Sequence, residues 1–307
     1  MVHCYVGISV FLCLMFASCY LPLVKLIDAG GKFHMNEKNT TLFRLVPEFS
    51  STQDEGSKII SHYAMWHTYP GKSYGLRAEI SVWGSPNQKD SQESGSSLRI
   101  YCQDGEHDNL IEVGFHVSPS LYHNRDVRFF TYWMDSRSAG CYNLQCPGFV
   151  STGGAALVPG EAVSPPSSYG EYDRYVRISL NKDPNSGDWV VYRHDLETPS
   201  FLGYFPVALC PKMPVVQALV GFVNYLNNTE GPPMGSGHFP DREDDNKKVA
   251  YFRHIKMYNS GGHTFDPNPF SMYARVDRPD CYKVSGFLPF FKEGYIFHYG
   301  GPSGCIG

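Results

Sequence analysis

In the segment Leu110–Val117, apolar residues alternate with polar or small ones from Ile111 onward. In an extended chain, successive side chains point to opposite faces, so one face of this segment is apolar. The apolar residues are Ile111, Val113, Phe115 and Val117. The opposite face carries Glu112, Gly114 and His116, and a glycine inside a strand marks a bend or the close approach of another group. The pattern predicts a strand with one buried face. It leaves open whether Glu112 is a solvated side chain or a carboxylate on the floor of a groove.

Short strand-like segments recur along the chain and are separated by turn-forming residues. The predicted strands are His62–His67, Tyr74–Trp83, Leu98–Cys102, Val127–Met134, Tyr175–Leu180 and Trp189–Arg193. The segment Ser85–Ser97 is predicted to be a polar loop, and Lys182–Gly187 is predicted to be a turn. No segment longer than two turns has the 3.6-residue period of a helix. We therefore expect a single all-β domain, a β-sandwich in preference to a barrel.

Composition and motifs exclude several classes of function. A net charge of −4 and the lack of a Lys/Arg cluster argue against nucleic acid as a partner. The sequence contains no metalloprotease, nucleophile-elbow or P-loop motif, and Gly235-Ser236-Gly237 is followed by Pro240 instead of a third glycine. The 12 histidines do not have metal-ligand spacing. We therefore expect neither a metal nor a cofactor.

The N-terminus carries a targeting signal. An apolar run, Val6–Phe16, precedes the small residues Ala17-Ser18-Cys19, which predicts a cleaved signal peptide over residues 1–19. Apolar residues continue to Val24, so an uncleaved membrane anchor is the alternative. Residues 20–59 are polar and irregular, a lead-in or short pro-segment, and residues 60–307 form the predicted domain. The expected location is extracellular, with the cell wall or a vacuolar route as the destination.

Cysteine usage fits an oxidising compartment. The six cysteines outside the targeting segment are Cys102, Cys141, Cys146, Cys210, Cys281 and Cys305. Short loops favour the pairs Cys141–Cys146 and Cys281–Cys305, which leaves Cys102 and Cys210 to pair or to stay free. Two glycosylation sequons begin at Asn39 and Asn227.

A set of motifs in fixed order resembles the neprosin domain. In chain order these are Tyr74-Gly75 with Ala78, Ile80 and Val82-Trp83, then Ile111–Phe115 with Val117 and Pro119, Gly140–Asn143 with Cys146, Gly148–Val150, Trp189, Gly203–Pro206, Met234–Pro240, Asp280–Tyr282, Tyr299–Pro302 and Cys305. The family occurs mainly in plants and is secreted. The resemblance implies a β-sandwich of strongly bent antiparallel sheets. It also implies a glutamic peptidase that cuts after proline at acid pH without metal or cofactor.

That chemistry needs two carboxyl groups, one ionised to activate water and one protonated to donate a proton. Glu112 matches the first catalytic glutamate of the family. The second belongs to a Trp-Gly-Gly-Glu-Val string, and the corresponding residues here read Leu219-Val220-Gly221-Phe222-Val223. Phe222 falls where the second glutamate should be, or Val223 if the gap is counted differently, and neither can carry a proton.

The loss of one carboxyl group predicts weakened or absent peptidase activity. Downstream, Glu230 is the nearest carboxylate and is expected on a loop. His116 shares the face of Glu112 but lies about 13–14 Å away along a strand, too far for a direct partner unless the strand bends at Gly114. The alternative function is a secreted module that binds proline-rich or glycan ligands without cutting them. The expected partner in either case is a proline-containing peptide or protein, and a membrane only if the N-terminal segment is uncleaved. Candidate ligand-binding residues are His116, Tyr132, Trp133 and His238.

Overall fold

A computed structural model describes residues 58–68, 73–104, 107–135, 140–212, 214–241 and 247–307. The predicted signal segment, most of the lead-in and the Asn39 sequon lie outside the described residues. The described residues belong to one compact unit, Glu48–Gly307, and their regular structure is almost entirely antiparallel β.

Seven of the described strands form a first sheet in the order β14-β1-β11-β3-β4-β5-β6. Their bounds are β1 Ile59–Thr68, β3 Glu93–Asp104, β4 His107–Val117, β5 Arg128–Met134, β6 Gly140–Tyr142, β11 Pro214–Leu226 and β14 Met272–Val276. A single helical turn, α1 (Pro119–Tyr122), lies in the connection between β4 and β5.

The other ten described strands form a second sheet, ordered β15-β17-β12-β2-β8-β9-β10-β7, with β13 beside β12 and β16 beside β17. Their bounds are β2 Gly75–Ser81, β7 Val150–Ser151, β8 Tyr175–Lys182, β9 Trp189–Arg193, β10 Ser200–Phe205, β12 Ala250–Tyr258, β13 Thr264–Phe265, β15 Lys283–Val284, β16 Leu288–Phe290 and β17 Gly294–Gly300. Two 3₁₀ turns cover Val207–Leu209 and Pro269–Ser271.

The hydrophobic core lies between the two sheets. Apolar residues of β4 and β11 from the first sheet cluster with residues of β2, β8 and β17 from the second. The sheets approach closely where Gly221 meets β17, because a Cβ atom at Gly221 would lie 2.1 Å from the ring of Tyr299. The predicted all-β sandwich class is therefore confirmed. The face of the first sheet that points away from this core is available for function.

The predicted strands are present, with one difference at the start of β3. This strand begins at Glu93, so the predicted loop Ser85–Ser97 was wrong over its last five residues. Serines have a low strand propensity, but pairing with β11 on one side and β4 on the other outweighs it. Gly114 behaves as predicted, since a Cβ atom there would lie 2.0 Å from the Ser96 carbonyl oxygen.

Three disulfides join Cys102 to Cys210, Cys141 to Cys146, and Cys281 to Cys305. The two predicted short-loop pairs are confirmed, and the two remaining cysteines pair with each other. Cys102 lies on β3 and Cys210 follows the turn after β10, so this bond joins β3 to the connection between β10 and β11. Among the described residues, no helix is long and apolar enough to cross a membrane.

Candidate active site

Glu112 lies near the middle of β4 on the face that points away from the core. The strand register places it opposite Arg99 of β3 on one side and Tyr132 of β5 on the other. Residues that pair across strands share a face, so these three side chains form one row. Glu112 is almost completely buried, with 4% of its surface exposed. It is therefore not the solvated strand residue that the pattern alone left open.

The Glu112 carboxylate is paired with a cation. Arg99 Nε donates a hydrogen bond of 2.8 Å to Glu112 Oε1, and the two side chains are 12% and 5% exposed. Burial would lower the pKa of Arg99, but Glu112 and Tyr101 together raise it above its ordinary value. Glu112 therefore has a hydrogen-bond donor and a cationic partner in Arg99.

Phe222 occupies the same face two strands away, on β11. It pairs with Gly95 of β3, which in turn pairs with His116 of β4. Its ring lies over Gly95, where a Cβ atom would come within 2.7 Å of Phe222 Cζ. The Arg99 guanidinium carbon lies 4.9 Å from the centre of the ring. An apolar ring thus stands where the resemblance expects the second carboxyl group, with Arg99 beside it.

The neighbouring residue Val223 faces the other way. It is fully buried and belongs to the core between the sheets. Of the two positions that the alignment left open, Phe222 is therefore the one on the face of Glu112.

A second pair of titratable groups lies further along the same face. His116 Nδ1 and Glu93 Oε1 are 2.5 Å apart, and Asn224 Nδ2 donates a 2.7 Å hydrogen bond to Glu93 Oε2. Burial opposes ionisation of Glu93, but the His116 and Asn224 contacts lower its pKa below the ordinary value. His116 Nε2 lies 2.8 Å from the Tyr122 hydroxyl, whose other partner is the Asn143 side chain at 2.9 Å.

The His116 side chain is held by this cluster and not by Glu112. Its ring is fully buried and stacks on Phe130 at a centroid distance of 4.0 Å. Its described polar partners are Glu93 and Tyr122, and Glu112 is not among them. The sequence analysis missed Glu93 because it lay in the predicted loop. The sequence offered no strand signal there, because Ser94 and Ser96, which alternate with Glu93, Gly95 and Ser97, are also polar.

Tyrosines complete the row beside Glu112. Tyr132 pairs with Tyr142 of β6, and their ring centroids are 4.5 Å apart. Burial, followed by the nearby carboxylates Glu112 and Glu93, raises the pKa of Tyr132 above its ordinary value. Burial also raises the pKa of Tyr122, to about 12. These hydroxyls are neutral throughout the acid range, so they can donate hydrogen bonds but do not supply a readily released proton.

The other predicted site residues lie elsewhere. Trp133 pairs with Ile111 on the opposite face of β5 and packs against the core, so the structure does not bring it together with Glu112. His238 is exposed and stacks against Tyr169 at 4.2 Å, at a cleft of about 540 Å³ that also contains Phe239 and Lys248.

Glu230, as expected, lies outside the site. Its exposed carboxylate faces Lys89 at 3.7 Å. Asn227 lies in the turn after β11, where its side-chain oxygen accepts a hydrogen bond from the Lys58 backbone. Among the described residues, no group of three or more His, Cys, Asp and Glu side chains is placed to hold a metal ion.

Similar solved structures include Scytalido-glutamic peptidase with a peptide-based transition-state analog, at a TM-score of 0.40 and 6% identity over 80% of this chain and 100% of that one. A second structure of that enzyme, with a transition-state analog inhibitor, has a TM-score of 0.41 and 7% sequence identity over 79% of this chain and 98% of that one. SCP-B, an Eqolisin-family peptidase in complex with the tripeptide Ala-Ile-His, has a TM-score of 0.39 and 7% sequence identity over 79% of this chain and 98% of that one.

A sequence model described as Neprosin matches residues 90–302, which is more than half of the chain. The matched segment includes Glu112, Phe222 and Arg99, together with most of both sheets. The chain belongs to the Neprosin family.

Proposed function

We propose that this protein is a secreted, glutamic-peptidase-like protein that binds proline-containing peptides and hydrolyses them very slowly. The peptidase-like class rests on membership of the Neprosin family, whose characterised members are glutamic peptidases. The slow turnover rests on one arrangement: the apolar Phe222 lies on the face of Glu112, at the position expected for the second carboxyl group, and Arg99 contacts both side chains.

Hydrolysis by a carboxyl pair requires that one group accepts a proton from water while the other donates one to the leaving amine. Glu112 can act as the base. Phe222 cannot donate a proton, and the tyrosines on the same face hold theirs too firmly in the acid range. The loss of one acid–base group lowers a rate by about 10²–10⁴-fold, and by more where the two groups act as a unit. From a typical enzyme turnover of about 10 s⁻¹, this predicts at most about 0.1 s⁻¹.

The aromatic side chains beside Glu112 favour a proline-containing ligand. Tyr132 and Tyr142 share its row, and aromatic faces pack well against proline rings. The Arg99–Glu112 pair also supports a second candidate, a module that binds proline-rich or glycan ligands without cutting them. In that case the pair contributes a neutral, hydrogen-bonded floor and no chemistry.

Secretion is supported by the cysteines. All six cysteines outside the N-terminal segment are paired, and disulfides persist in extracellular and secretory compartments. Glycosylation at Asn39 and Asn227 would follow on the same route. Release of the protein without residues 1–19 from a secreting host tests this part of the proposal, and retention of the full chain in membranes contradicts it.

The function is tested with purified secreted protein and proline-containing peptides between about pH 2.5 and 5, the range suited to a carboxyl pair. Mass spectrometry measures cleavage, and fluorescence anisotropy of a labelled peptide measures binding. We expect saturable binding with very slow cleavage after proline that is lost in Glu112→Gln. Binding with no cleavage at any time supports the non-catalytic module. Rapid cleavage that disappears in Glu112→Gln contradicts the proposal and implies a substitute acid, and neither binding nor cleavage contradicts both functions.

A further inference from the structure

Arg99 occupies the space between the two positions that would form a catalytic pair. It lies on β3, the strand between β4, which carries Glu112, and β11, which carries Phe222. Its Nε donates to Glu112 at 2.8 Å, and its guanidinium carbon lies 4.9 Å from the Phe222 ring centre. One cation therefore contacts both the retained carboxylate and the residue that replaces the missing one.

We infer that Arg99 is a second, independent block on hydrolysis, a positioning residue that holds Glu112 as an ion pair and would also pair with a carboxyl group restored at position 222. This inference rests on the proposed function, and it identifies what restrains that same site. It predicts that reversal of Phe222 alone leaves the protein nearly inactive. Activity requires that Arg99 be removed as well.

The remaining hydrogen-bond donors of the Arg99 guanidinium support the inference that it would bind a second carboxyl group. Arginine has five N–H donors, and the bond to Glu112 uses Nε, which also lies 3.3 Å from Ser97 Oγ. A glutamate at position 222 would place its carboxyl group close to where the phenyl ring now stands, within about 4–6 Å of the same cation. Because an opposite charge at that distance favours the ionised form, both carboxyl groups would stay charged. A charged pair has a base but lacks the proton donor that the reaction needs.

Removal of Arg99 changes the behaviour of the restored pair. The titratable groups that face position 222 are then Glu112 and the His116–Glu93 pair, because position 222 pairs with Gly95 and Gly95 pairs with His116. Two carboxyl groups that approach each other without Arg99 between them cannot both ionise cheaply, so one keeps its proton in the acid range. That is the protonation state in which one group activates water and the other donates. The pair then titrates in two steps that belong to both groups together.

The test compares five proteins: wild type, Arg99→Gln, Phe222→Glu, the double variant Arg99→Gln/Phe222→Glu, and a matched control, Arg99→Gln/Phe222→Gln, that cannot transfer a proton at position 222. Cleavage of a proline-containing peptide is measured from about pH 2.5 to 6, a range that brackets carboxyl titration. We expect the cleavage rate of Phe222→Glu to stay within about 3-fold of the wild-type rate. The rate of Arg99→Gln/Phe222→Glu should exceed that of Phe222→Glu by about 10²-fold. The double variant alone should give a bell-shaped pH profile.

A result in which Phe222→Glu alone matches the double variant overturns the role of Arg99, while the two-carboxylate account stands. A double variant no faster than Phe222→Glu also overturns it, provided that thermal unfolding and peptide binding show a folded groove. If the double variant does not fold, Arg99→Met/Phe222→Glu carries the same prediction with an apolar stem in place of the cation. Rapid cleavage by wild type is a different outcome, and it overturns the proposed function itself.

Discussion

At the scale of single residues, the candidate site contains a buried ion pair. Arg99 and Glu112 are both nearly shielded from water and directly hydrogen-bonded. Taking two charges out of water costs several kcal/mol per ion, and their attraction offsets that only while both are present. The pair is therefore sensitive to the loss of one partner, whatever its chemical role.

We expect Glu112→Gln to lower the free energy of unfolding by about 3 kcal/mol, because it leaves the Arg99 charge buried without a counterion. The double change Arg99→Met/Glu112→Leu should cost less than Glu112→Gln alone, since apolar residues of similar volume replace both charges. Urea unfolding near pH 7 measures both. The exposed pair Arg125–Asp90 provides the control, where Asp90→Asn should cost less than about 1 kcal/mol. Equal losses in Glu112→Gln and Asp90→Asn would contradict the buried-pair account.

At the scale of secondary-structure elements, β3 organises the site. It lies between β11 and β4 and carries Arg99 and Glu93 on one face. Glu93 connects β3 to β4 through His116 and to β11 through Asn224, and His116 in turn contacts Tyr122 of α1. A single side chain thus ties together three strands and the helical turn that follows β4.

This arrangement predicts an acid-sensitive contribution to stability. Because the His116 and Asn224 contacts lower the pKa of Glu93, its contribution is fully present above the ordinary value of 4.5 and is lost as the pH falls through the lowered one. Glu93→Gln should therefore destabilise the protein near pH 7 and progressively less below about pH 4.5. Urea unfolding of both proteins over this range measures the difference, with the exposed Glu197→Gln as control. A difference that stays constant or grows with acidification would count against it.

The sequence predicted the elements better than their register. The alternation in Leu110–Val117 was sufficient to place Glu112 and His116 on one face and the apolar residues in the core. The pairing of Arg99 with Glu112 was not predictable, because it depends on the register between β3 and β4, and a shift of one residue would move Arg99 to the other face. The sequence analysis named Tyr132 and Trp133 together as ligand-binding candidates, although adjacent strand residues face opposite sides, as these two do.

At the scale of the whole molecule, two sheets enclose one hydrophobic core, and one disulfide joins β3 to the connection between β10 and β11. The Cys102–Cys210 bond closes a loop over a sequence separation of 108, whereas Cys141–Cys146 spans only 5. In the chain-entropy account, a disulfide that closes a longer loop stabilises the folded protein more, because it removes more conformational entropy from the unfolded chain.

We expect Cys102→Ser/Cys210→Ser to lower the free energy of unfolding by about 4 kcal/mol, and Cys141→Ser/Cys146→Ser by about 2 kcal/mol. Guanidinium unfolding of the two double variants under non-reducing conditions measures the losses. A larger loss from the short loop would show that local packing, and not loop length, sets the order.

The central claim is that Glu112 has no second carboxyl group to act with it in catalysis. It is tested most directly by pre-steady-state cleavage of one proline-containing peptide near pH 4 by wild type and by Glu112→Gln. Our account predicts that wild type, with the peptide bound, cuts no faster than about 0.1 s⁻¹ and that Glu112→Gln, checked to be folded, cuts more slowly still. Wild-type cleavage at about 10 s⁻¹ or faster that vanishes in Glu112→Gln would contradict it, because a proton donor other than residue 222 would then serve Glu112.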